Sequence, residues 1–328
     1  MRILIATRDD ILALDPVEGD VVGTARSVEA GPTCLAADPF DGGRVWCGTD
    51  GGGVLRSDDG GASWSLVGLE GEEVTAVTAS PAQPDLVWAG TEPSAVWRSD
   101  DGGDTWERAP NLLELPSSSD WSFPPRPETH HVRWIAPHPA DPDRLWVAIE
   151  AGALVTTRDG GRTWQDRVPG GPYDTHELAI HPERPEALRV AAGDGYFESA
   201  DGGGTWSSPE RGLEVGYLRS VAIDPGDPEV VVVSAASHPY AAYTAGRSDG
   251  RLYRRAGGGP WERIVHGWPD PPDTIAPLLA AGRDPGELWA ADERGLHESV
   301  DRGRSWQRVA PFPRTPAWLR GIAITIRG

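Results

Sequence analysis

The 328-residue sequence carries 50 acidic and 30 basic side chains, which gives a formal net charge of -20. Every one of those basic residues is Arg, so Schiff-base catalysis, pyridoxal-phosphate anchoring and lysine-containing phosphate loops are excluded. The strong negative charge argues against DNA or RNA as a partner, because nucleic-acid binding is driven by clustered cations.

The N-terminal segment and the two cysteines give information about the cellular compartment of the protein. Residues 1–16 (MRILIATRDDILALDP) alternate apolar and polar residues and include acids, which is unlike a secretion signal. No run approaches the ~20 apolar residues that a membrane span requires. Cys34 and Cys47 are too few for a disulfide framework or a structural zinc site. We therefore expect a cytoplasmic protein without a membrane or nucleic-acid partner.

One eight-residue segment recurs along the chain. Each copy ends in Trp and contains an Asp that precedes Gly or Arg-Gly. The five clear copies are residues 57–64 (SDDGGASW), 99–106 (SDDGGDTW), 157–164 (TRDGGRTW), 199–206 (SADGGGTW) and 299–306 (SVDRGRSW). The shortest spacing between their tryptophans is about 42 residues, which is typical of a propeller blade.

Each repeat unit reads as four short strands separated by Pro, Gly and Asp, the residues that turns require. In the unit around Trp106 the strands are VTAVTAS, LVWAGT, AVWRSD and TWERA. Such units begin at Cys34, Val74, Val132, His176, Leu218 and Ile275. A seventh blade combines residues 1–28 with residues 317–328, which would leave no exposed sheet edge. We predict one all-β domain over residues 1–328, a seven-bladed β-propeller with four-stranded blades.

The repeated segment resembles the Asp-box, or BNR repeat, of the sialidase-like (glycosyl hydrolase-type) β-propeller superfamily. Relatives with this motif include sialidases, xyloglucan-cleaving two-propeller enzymes, the sortilin propeller and photosystem II assembly factors. The resemblance implies that the Asp of each copy caps its own turn, with calcium binding as the alternative. The functions of these families range from glycosidase to chaperone-like binder, so the resemblance implies a function within that range.

Aligning the innermost strands on the Pro that follows most of them places charged residues at one level of the ring. Arg133, Arg219 and Arg320 lie six residues before that Pro, together with His176. A guanidinium matches carboxylate or phosphate bidentately, so three of them predict an anion-binding mouth. The alternative is that these arginines bridge neighbouring blades.

Two insertions and a second level of the ring complete the predicted mouth. Residues 111–131 and 237–250 are long connections on the same side, where they would form walls or a lid. The residues predicted to contact the substrate, besides the arginines, are Tyr217, Trp318, Trp121, Glu73, His238 and Tyr240.

Proton transfer at this mouth would fall to nearby histidines and acids. We predict His131, His176, Glu177 and Asp174 as catalytic residues. The alternative is a divalent metal held by His130, His131, His176, His238 and Glu150; no other cofactor is predicted.

These residues lead to three functional hypotheses. The first is that the mouth binds a small anionic molecule and hydrolyses or eliminates it, in the manner of a glycosyl hydrolase. The second is a non-catalytic propeller that grips the acidic or carboxy-terminal segment of a protein partner. The third is a metal-dependent enzyme that uses the histidines.

Overall fold

The computed structural model describes residues 1–15, 20–25, 30–270 and 272–325. Within these residues 26 strands form seven sheets of three or four strands each. The sheets are the blades of a seven-bladed β-propeller, so the predicted fold class is confirmed. Contacts divide the chain into two compact units, one centred on Val22–Thr175 and the other on His176–Leu319.

The first unit contains three consecutive blades and the N-terminal part of another. Its strands are β1 (Arg2–Thr7), β2 (Ile11–Asp15), β3 (Asp20–Ala25), β4 (Pro32–Ala37), β5 (Val45–Thr49), β6 (Val54–Ser57), β7 (Ser65–Gly68), β8 (Glu73–Ala79), β9 (Val87–Glu92), β10 (Val96–Ser99), β11 (Glu107–Arg108), β12 (Val132–Pro137), β13 (Leu145–Ile149) and β14 (Ala153–Thr157). Two short 3-10 helices, Leu112–Glu114 and Pro116–Asp120, lie in the connection between β11 and β12.

The second unit contains three further blades. Its elements are β15 (Thr175–His181), β16 (Arg184–Ala192), β17 (Gly195–Ser199), β18 (Tyr217–Asp224), β19 (Asp227–Ala236), α1 (Pro239–Tyr243), β20 (Arg251–Ala256), β21 (Glu262–Arg263), β22 (Leu278–Ala281), β23 (Leu288–Asp292), β24 (Gly295–Ser299) and β25 (Gln307–Pro311). No helix among the described residues is long and apolar enough to span a membrane.

Both ends of the chain form one blade, as predicted. The last strand, β26 (Leu319–Thr325), pairs with β1 in a sheet of order β26-β1-β2-β3. Parts of this blade's expected bounds, residues 16–19, 26–28 and 326–328, lie outside the described residues. The boundaries of the single domain therefore stay a prediction.

The prediction of four strands in every blade is wrong for two blades. The sheets β12-β13-β14 and β15-β16-β17 have three strands. Their fourth strand is reduced to one bridge, Thr156 with Gln165 and Glu198 with Ser207. Pro169 and Pro209 follow these bridges, but Pro110 follows β11 at a similar distance, so a proline alone does not account for the shorter pairing.

Tryptophans form much of the packing between strands. Trp46, Trp88, Trp146 and Trp289 occupy the second position of β5, β9, β13 and β23, and each is at most 2% exposed. The same position in these four blades therefore carries the same large side chain.

The turns predicted around the repeated Asp have the expected geometry. In the second copy, the backbone amide of Thr105 donates to Asp101 Oδ1 (2.8 Å) and its hydroxyl donates to Oδ2 (2.6 Å). The amide of Gly103 donates to Ser99 Oγ (2.8 Å) while Gly103 adopts a φ of 100°, which favours glycine. The hydrogen bonds from Thr105 lower the pKa of Asp101 to about 2. The carboxylate therefore caps its own turn.

Candidate functional site

The position that carries the predicted arginines is a β-bulge. The pairing of β4, β8, β12 and β18 with the following strand shifts register at Thr33, Thr75, Arg133 and Arg219, respectively. A bulge leaves its extra residue out of the ladder and turns its side chain in a new direction. The alignment of the sequence therefore found a real structural position, whose side chains point away from their own sheet.

Most side chains at this position bind the backbone of another inner segment of the same unit. Thr75 Oγ1 donates to the carbonyl of Val132 (2.7 Å), and His176 Nδ1 donates to that of Leu218 (2.5 Å). Thr33 Oγ1 contacts the carbonyl of Val74 in the same way. The bulge position thus ties each inner strand to the next.

Two arginines of the predicted anion clamp, Arg219 and Arg320, contact backbone carbonyls, and the clamp itself stays a prediction. Arg219 is 3% exposed, and its two Nη atoms donate to the carbonyls of Ala276 and Leu319, both at 2.6 Å. Arg320 Nη1 donates to the carbonyl of Pro32 at 3.4 Å. A buried guanidinium that is used to join backbone segments has little left to offer an anion. The blade-bridging alternative describes these two arginines better.

Titratable groups gather in the first unit where β8 begins and β9 ends. We call Glu73, Glu92, Arg126, His131 and Glu150 the acid–base cluster. This end of the blade lies opposite the repeated turn, because Ser99, which opens the turn, pairs with the start of β9. The cluster therefore occupies the end at which the sequence predicts a site.

Two carboxylates face each other at the centre of this cluster. Glu73 and Glu92 are direct partners in the β8–β9 ladder, which brings their side chains onto one face. Arg126 Nη2 bridges them, at 2.6 Å from Glu92 Oε2 and 3.4 Å from Glu73 Oε1. Because both oxygens contact one nitrogen, they lie at most about 6 Å from each other, an upper limit that includes the ~5–5.5 Å of the carboxyl pair in retaining glycosidases.

His131 connects Glu92 to a third carboxylate. Its Nε2 donates to Glu150 Oε2 (3.0 Å), and its Nδ1 lies 3.6 Å from Glu92 Oε2. Arg133 Nε lies 3.3 Å from the same oxygen of Glu150. The imidazole of His131 thus lies between the carboxyl groups of Glu92 and Glu150.

Burial makes Glu92 a proton carrier. The residue is 7% exposed, and its desolvation raises its pKa, with a further rise from the charge of Glu73. The charges of His131 and Arg126 act in the opposite direction without cancelling the rise. A carboxyl group whose pKa is raised in this way keeps a proton to higher pH and serves as a general acid.

The long connection before β12 holds Arg126 over the cluster. Phe123 and Arg126 form an isolated bridge, and the Arg126 guanidinium lies 5.4 Å from the Phe123 ring. The Phe123 ring meets His131 edge-on at 4.7 Å. The insertion thus contributes an aromatic side chain, Phe123, and a cation, Arg126, to the cluster; the sequence predicted a wall or lid from this loop and no cation.

Trp121, which the sequence predicts at the pocket wall, packs inside the blade, and its contact with a substrate stays a prediction. Trp121 is 5% exposed and packs in the apolar core with Trp88, while its Nε1 donates to Ser117 Oγ (3.0 Å). His130 meets the Trp121 ring edge-on at 5.7 Å, and burial, with the neighbouring His131, lowers the pKa of His130. Both residues anchor the insertion to the blade.

Two other predicted catalytic residues make local contacts. Asp174 Oδ1 accepts from the backbone amide of Ala151 (3.0 Å), which fastens the end of β13. Glu177 Oε2 accepts from the hydroxyl of the fully buried Ser220, and Ser220 Oγ also accepts from the amide of Leu279 (2.9 Å). These contacts support blade packing, and the catalytic roles of Asp174 and Glu177 stay predictions.

In the second unit, aromatic side chains surround His176. Tyr217 Oη lies 3.4 Å from His176 Nε2 and 3.5 Å from Tyr243 Oη. Tyr243 stacks on Trp318 with ring centroids 6.1 Å apart and an interplanar angle of 16°. The structure therefore brings the predicted residues Tyr217 and Trp318 together with Tyr243, which the sequence analysis did not select.

The other predicted residues of the second insertion have different surroundings. His238 Nδ1 accepts from the amide of Ala241 (3.3 Å) and so caps α1. Tyr240 is 76% exposed and meets His238 edge-on at 6.3 Å. The helix cap gives His238 a structural role, and the metal-binding alternative stays a prediction.

The second unit also contains a set of charged groups around the fully buried Asp292. We call Asp292, Arg294, His297 and Thr274 the buried ion cluster. Asp292 Oδ1 accepts from His297 Nε2 (3.2 Å), and its Oδ2 accepts from Arg294 Nε (2.8 Å) and Thr274 Oγ1 (2.9 Å). Burial alone would raise the pKa of Asp292, but the hydrogen bond and charge of His297, with Arg294, lower it to about 2. This carboxylate stays ionised.

The sequence contained a signal for Glu92 that was not used. The second strand of one blade, VWAGTE, ends with Glu92. The second strand of the next blade, LWVAI, is followed directly by Glu150, at the matching position. Aligning the ends of the second strands, as well as the starts of the first strands, would have selected both. Nothing in the sequence marks Arg126, because its position depends on the path of the insertion.

No protein-family model matches the sequence, and no curated protein matches it. Solved structures do. A GH74 enzyme from Niastella koreensis is similar with a TM-score of 0.71 and 16% identity over 93% of this chain and 51% of that one. The GH74 xyloglucanase from Xanthomonas campestris has a TM-score of 0.69 and 16% identity over 99% of this chain and 52% of that one.

A structure of YCF48 bound to D1 peptide is also similar, with a TM-score of 0.59 and 20% identity over 85% of this chain and 82% of that one. The chain thus spans about half of each of these two GH74 structures and most of the YCF48 one. At these identities the similarity establishes the β-propeller fold and leaves both catalysis and binding open.

Proposed function

We propose that the chain is a glycosyl hydrolase-like enzyme whose acid–base cluster cleaves a neutral glycoside. The observation that supports this proposal most directly is that Glu73 and Glu92 face each other and both accept a hydrogen bond from Arg126 Nη2. Retaining and inverting glycosidases use two carboxyl groups, one with a raised pKa as the acid and one ionised as nucleophile or base.

The surroundings of each carboxyl group suggest its role. Glu92 is buried with a raised pKa and donates the proton to the leaving oxygen; Glu73 is more exposed and acts as nucleophile or base. The water that completes hydrolysis returns a proton to Glu92, and His131 lies between Glu92 and Glu150, where it positions both carboxyl groups. Hydrolysis needs only water in addition, so this scheme requires no further reactant.

The proposal keeps the hydrolase part of the sequence-based hypothesis and replaces the anionic substrate. Arg219 and Arg320 donate to backbone carbonyls, and Arg133 contacts Glu150. The similar GH74 structures, one of them a xyloglucanase, favour a neutral polysaccharide. We also assign the repeated turns to the Asp-box type, on the strength of their sequence and hydrogen bonding.

A second candidate function is supported by Arg126 itself. The Glu73–Glu92 pair already holds a guanidinium, so the same pair would accept an Arg side chain from a partner protein. The structure of YCF48 with a bound peptide provides a precedent for peptide binding by a similar fold. Here the protein would bind without turnover.

Turnover by carboxylate variants decides between the two. Wild-type protein is incubated with neutral oligosaccharides and aryl glycosides, and release of reducing sugar is measured beside E92Q and E73Q. We expect kcat to fall at least ~100-fold in both variants, because each removes one proton-transferring group. E298Q is the matched control, since burial and Glu287 also raise the pKa of Glu298 but it lies outside the cluster.

Turnover that E92Q and E73Q leave unchanged would refute the proposal. If no glycoside is cleaved, the wild-type protein and E92Q are titrated with an Arg-containing peptide and its Arg-to-Ala counterpart. Binding that needs both the peptide's Arg and Glu92 would establish the second candidate in place of the first.

A further inference from the structure

The aromatic side chains of the second unit form a surface with the properties of a ligand site. We define the aromatic platform as Tyr217, Tyr243 and Trp318. Tyr243 and Trp318 are nearly parallel, at 16°, whereas Tyr217 meets Tyr243 at 79° with ring centroids 6.2 Å apart. Trp318 is 50% exposed, so a large flat ring is open to solvent. Three aromatic rings in contact, one of them half exposed, offer a flat apolar face of the kind on which ligands stack.

The platform is held in place from below. The buried guanidinium of Arg219 lies 4.6 Å from the Tyr243 ring centroid and is itself fixed by the carbonyls of Ala276 and Leu319. Leu319 directly follows Trp318, so the same contacts fix the segment that carries the tryptophan. Ala242 of α1 is fully buried and its carbonyl accepts from the amide of Ala276 (3.1 Å). The rings are therefore preorganised, which lowers the entropic cost of binding.

The edge of the platform is polar. Tyr217 Oη lies within 3.5 Å of both Tyr243 Oη and His176 Nε2. Because His176 Nδ1 donates to the Leu218 carbonyl, Nε2 is the acceptor of this group. Two hydroxyls and an imidazole nitrogen beside a flat apolar face suit a ligand that has one flat C–H surface and a rim of hydroxyl groups.

We infer that the aromatic platform binds pyranose rings of a neutral oligosaccharide. A pyranose has this combination of a flat C–H face and equatorial hydroxyls. A cationic ligand is disfavoured, because Arg219 already occupies the cation position over the Tyr243 ring. The platform shares no residue with the acid–base cluster, so this inference is independent of the proposed function.

The test uses the full chain and calorimetric titration with neutral cello- and xyloglucan-derived oligosaccharides of four to nine sugar units. We expect W318A to weaken binding up to ~10-fold, because loss of one stacked aromatic contact lowers affinity by up to about that factor. F40A is the control, because Phe40 is an aromatic residue of similar exposure, 53%, that lies outside the platform and outside every predicted site. Thermal unfolding of W318A should match wild type, which separates lost binding from lost folding.

Two results would overturn the inference: absence of oligosaccharide binding by the wild type, or equal affinity in W318A. Titration with a proline-rich peptide runs in parallel, because proline rings also stack on aromatic residues. Binding of that peptide without sugar binding would identify the platform as a peptide site and would likewise refute the inference. Titration of E92Q and of the E92Q/W318A double variant repeats the comparison in a chain without the proposed acid, so that heat from cleavage cannot be taken for binding to the platform.

Discussion

The acid–base cluster and the buried ion cluster contain the same kinds of charged groups and have opposite electrostatics. Asp292 is fully buried, yet His297 and Arg294 lower its pKa to about 2. Glu92 is 7% exposed, and burial beside Glu73 raises its pKa. The difference lies in the neighbours: Asp292 accepts hydrogen bonds on both oxygens, whereas Glu92 faces a second carboxylate. Histidine and carboxylate together therefore indicate a reactive site only when the carboxylates outnumber their donors.

Replacing the two carboxylates should affect stability with opposite signs. D292N is expected to lower the free energy of unfolding by about 3 kcal/mol at pH 7, because Arg294 and His297 lose their buried counter-charge. E92Q should unfold at an equal or higher free energy, because a raised folded-state pKa means that ionisation of Glu92 costs stability. Urea unfolding at equilibrium measures both, with D284N, at an exposed position, as control.

The pH dependence of unfolding distinguishes the two carboxyl groups further. A lowered folded-state pKa stabilises above the ordinary carboxyl value near 4, so the stability difference between wild type and D292N should vanish as pH falls towards 2. Glu92 has the opposite sign: its protonated form favours folding at low pH, and this contribution is lost as pH rises through its raised pKa. A D292N difference that stays constant down to pH 2 would contradict the assignment.

Removing Arg126 should increase the difference between the pKa of Glu92 and that of Asp292. Its charge lowers the pKa of Glu92, so R126A is expected to raise that pKa and move the alkaline limb of the rate profile to higher pH. The same change uncovers the carboxylate pair, and we expect KM to fall by a few-fold. R108A, at an exposed arginine of the same blade, is the control. A limb that moves to lower pH would show that Arg126 does not act on Glu92.

The smallest expected change in stability is at the exposed carboxylates of the repeated turns, which accept hydrogen bonds but are not buried. D101N keeps the size of the turn residue but weakens its bonds from Thr105. We expect a loss of about 1 kcal/mol, because solvent screens an exposed carboxylate. The corresponding fall in Tm is about 2 °C for a chain of this size. A loss as large as that of D292N would mean that burial is not what separates these groups.

The fold could be predicted because its signals are local and repeated. Each copy of the turn specifies its own hydrogen bonds, and the spacing of the copies specifies the blade. The two three-stranded blades were missed because a fourth strand that is reduced to one bridge retains the same starting residues. A repeat predicts where a strand begins more reliably than how many ladder bonds it makes.

The site was predicted less completely, for physical reasons that differ between residues. The bulge at Arg219 was located correctly, but its role depends on which carbonyls the side chain reaches. Trp121 looked like a pocket wall until the insertion folded it into the core. Arg126 reaches Glu92 from 34 positions further along the chain, and no local pattern encodes such a contact. Charge near a ring opening is visible in a sequence, whereas the pairing of charges is not.

The central claim is that Glu92 works as a protonated acid. The most direct measurement is the pH dependence of kcat/KM for the wild-type enzyme on the glycoside that it cleaves fastest. We predict a rate that falls as pH rises through a pKa above the ordinary glutamate value, as the Glu92 proton is lost. A rate that stays constant or rises over that range would contradict the assignment of Glu92 as the acid.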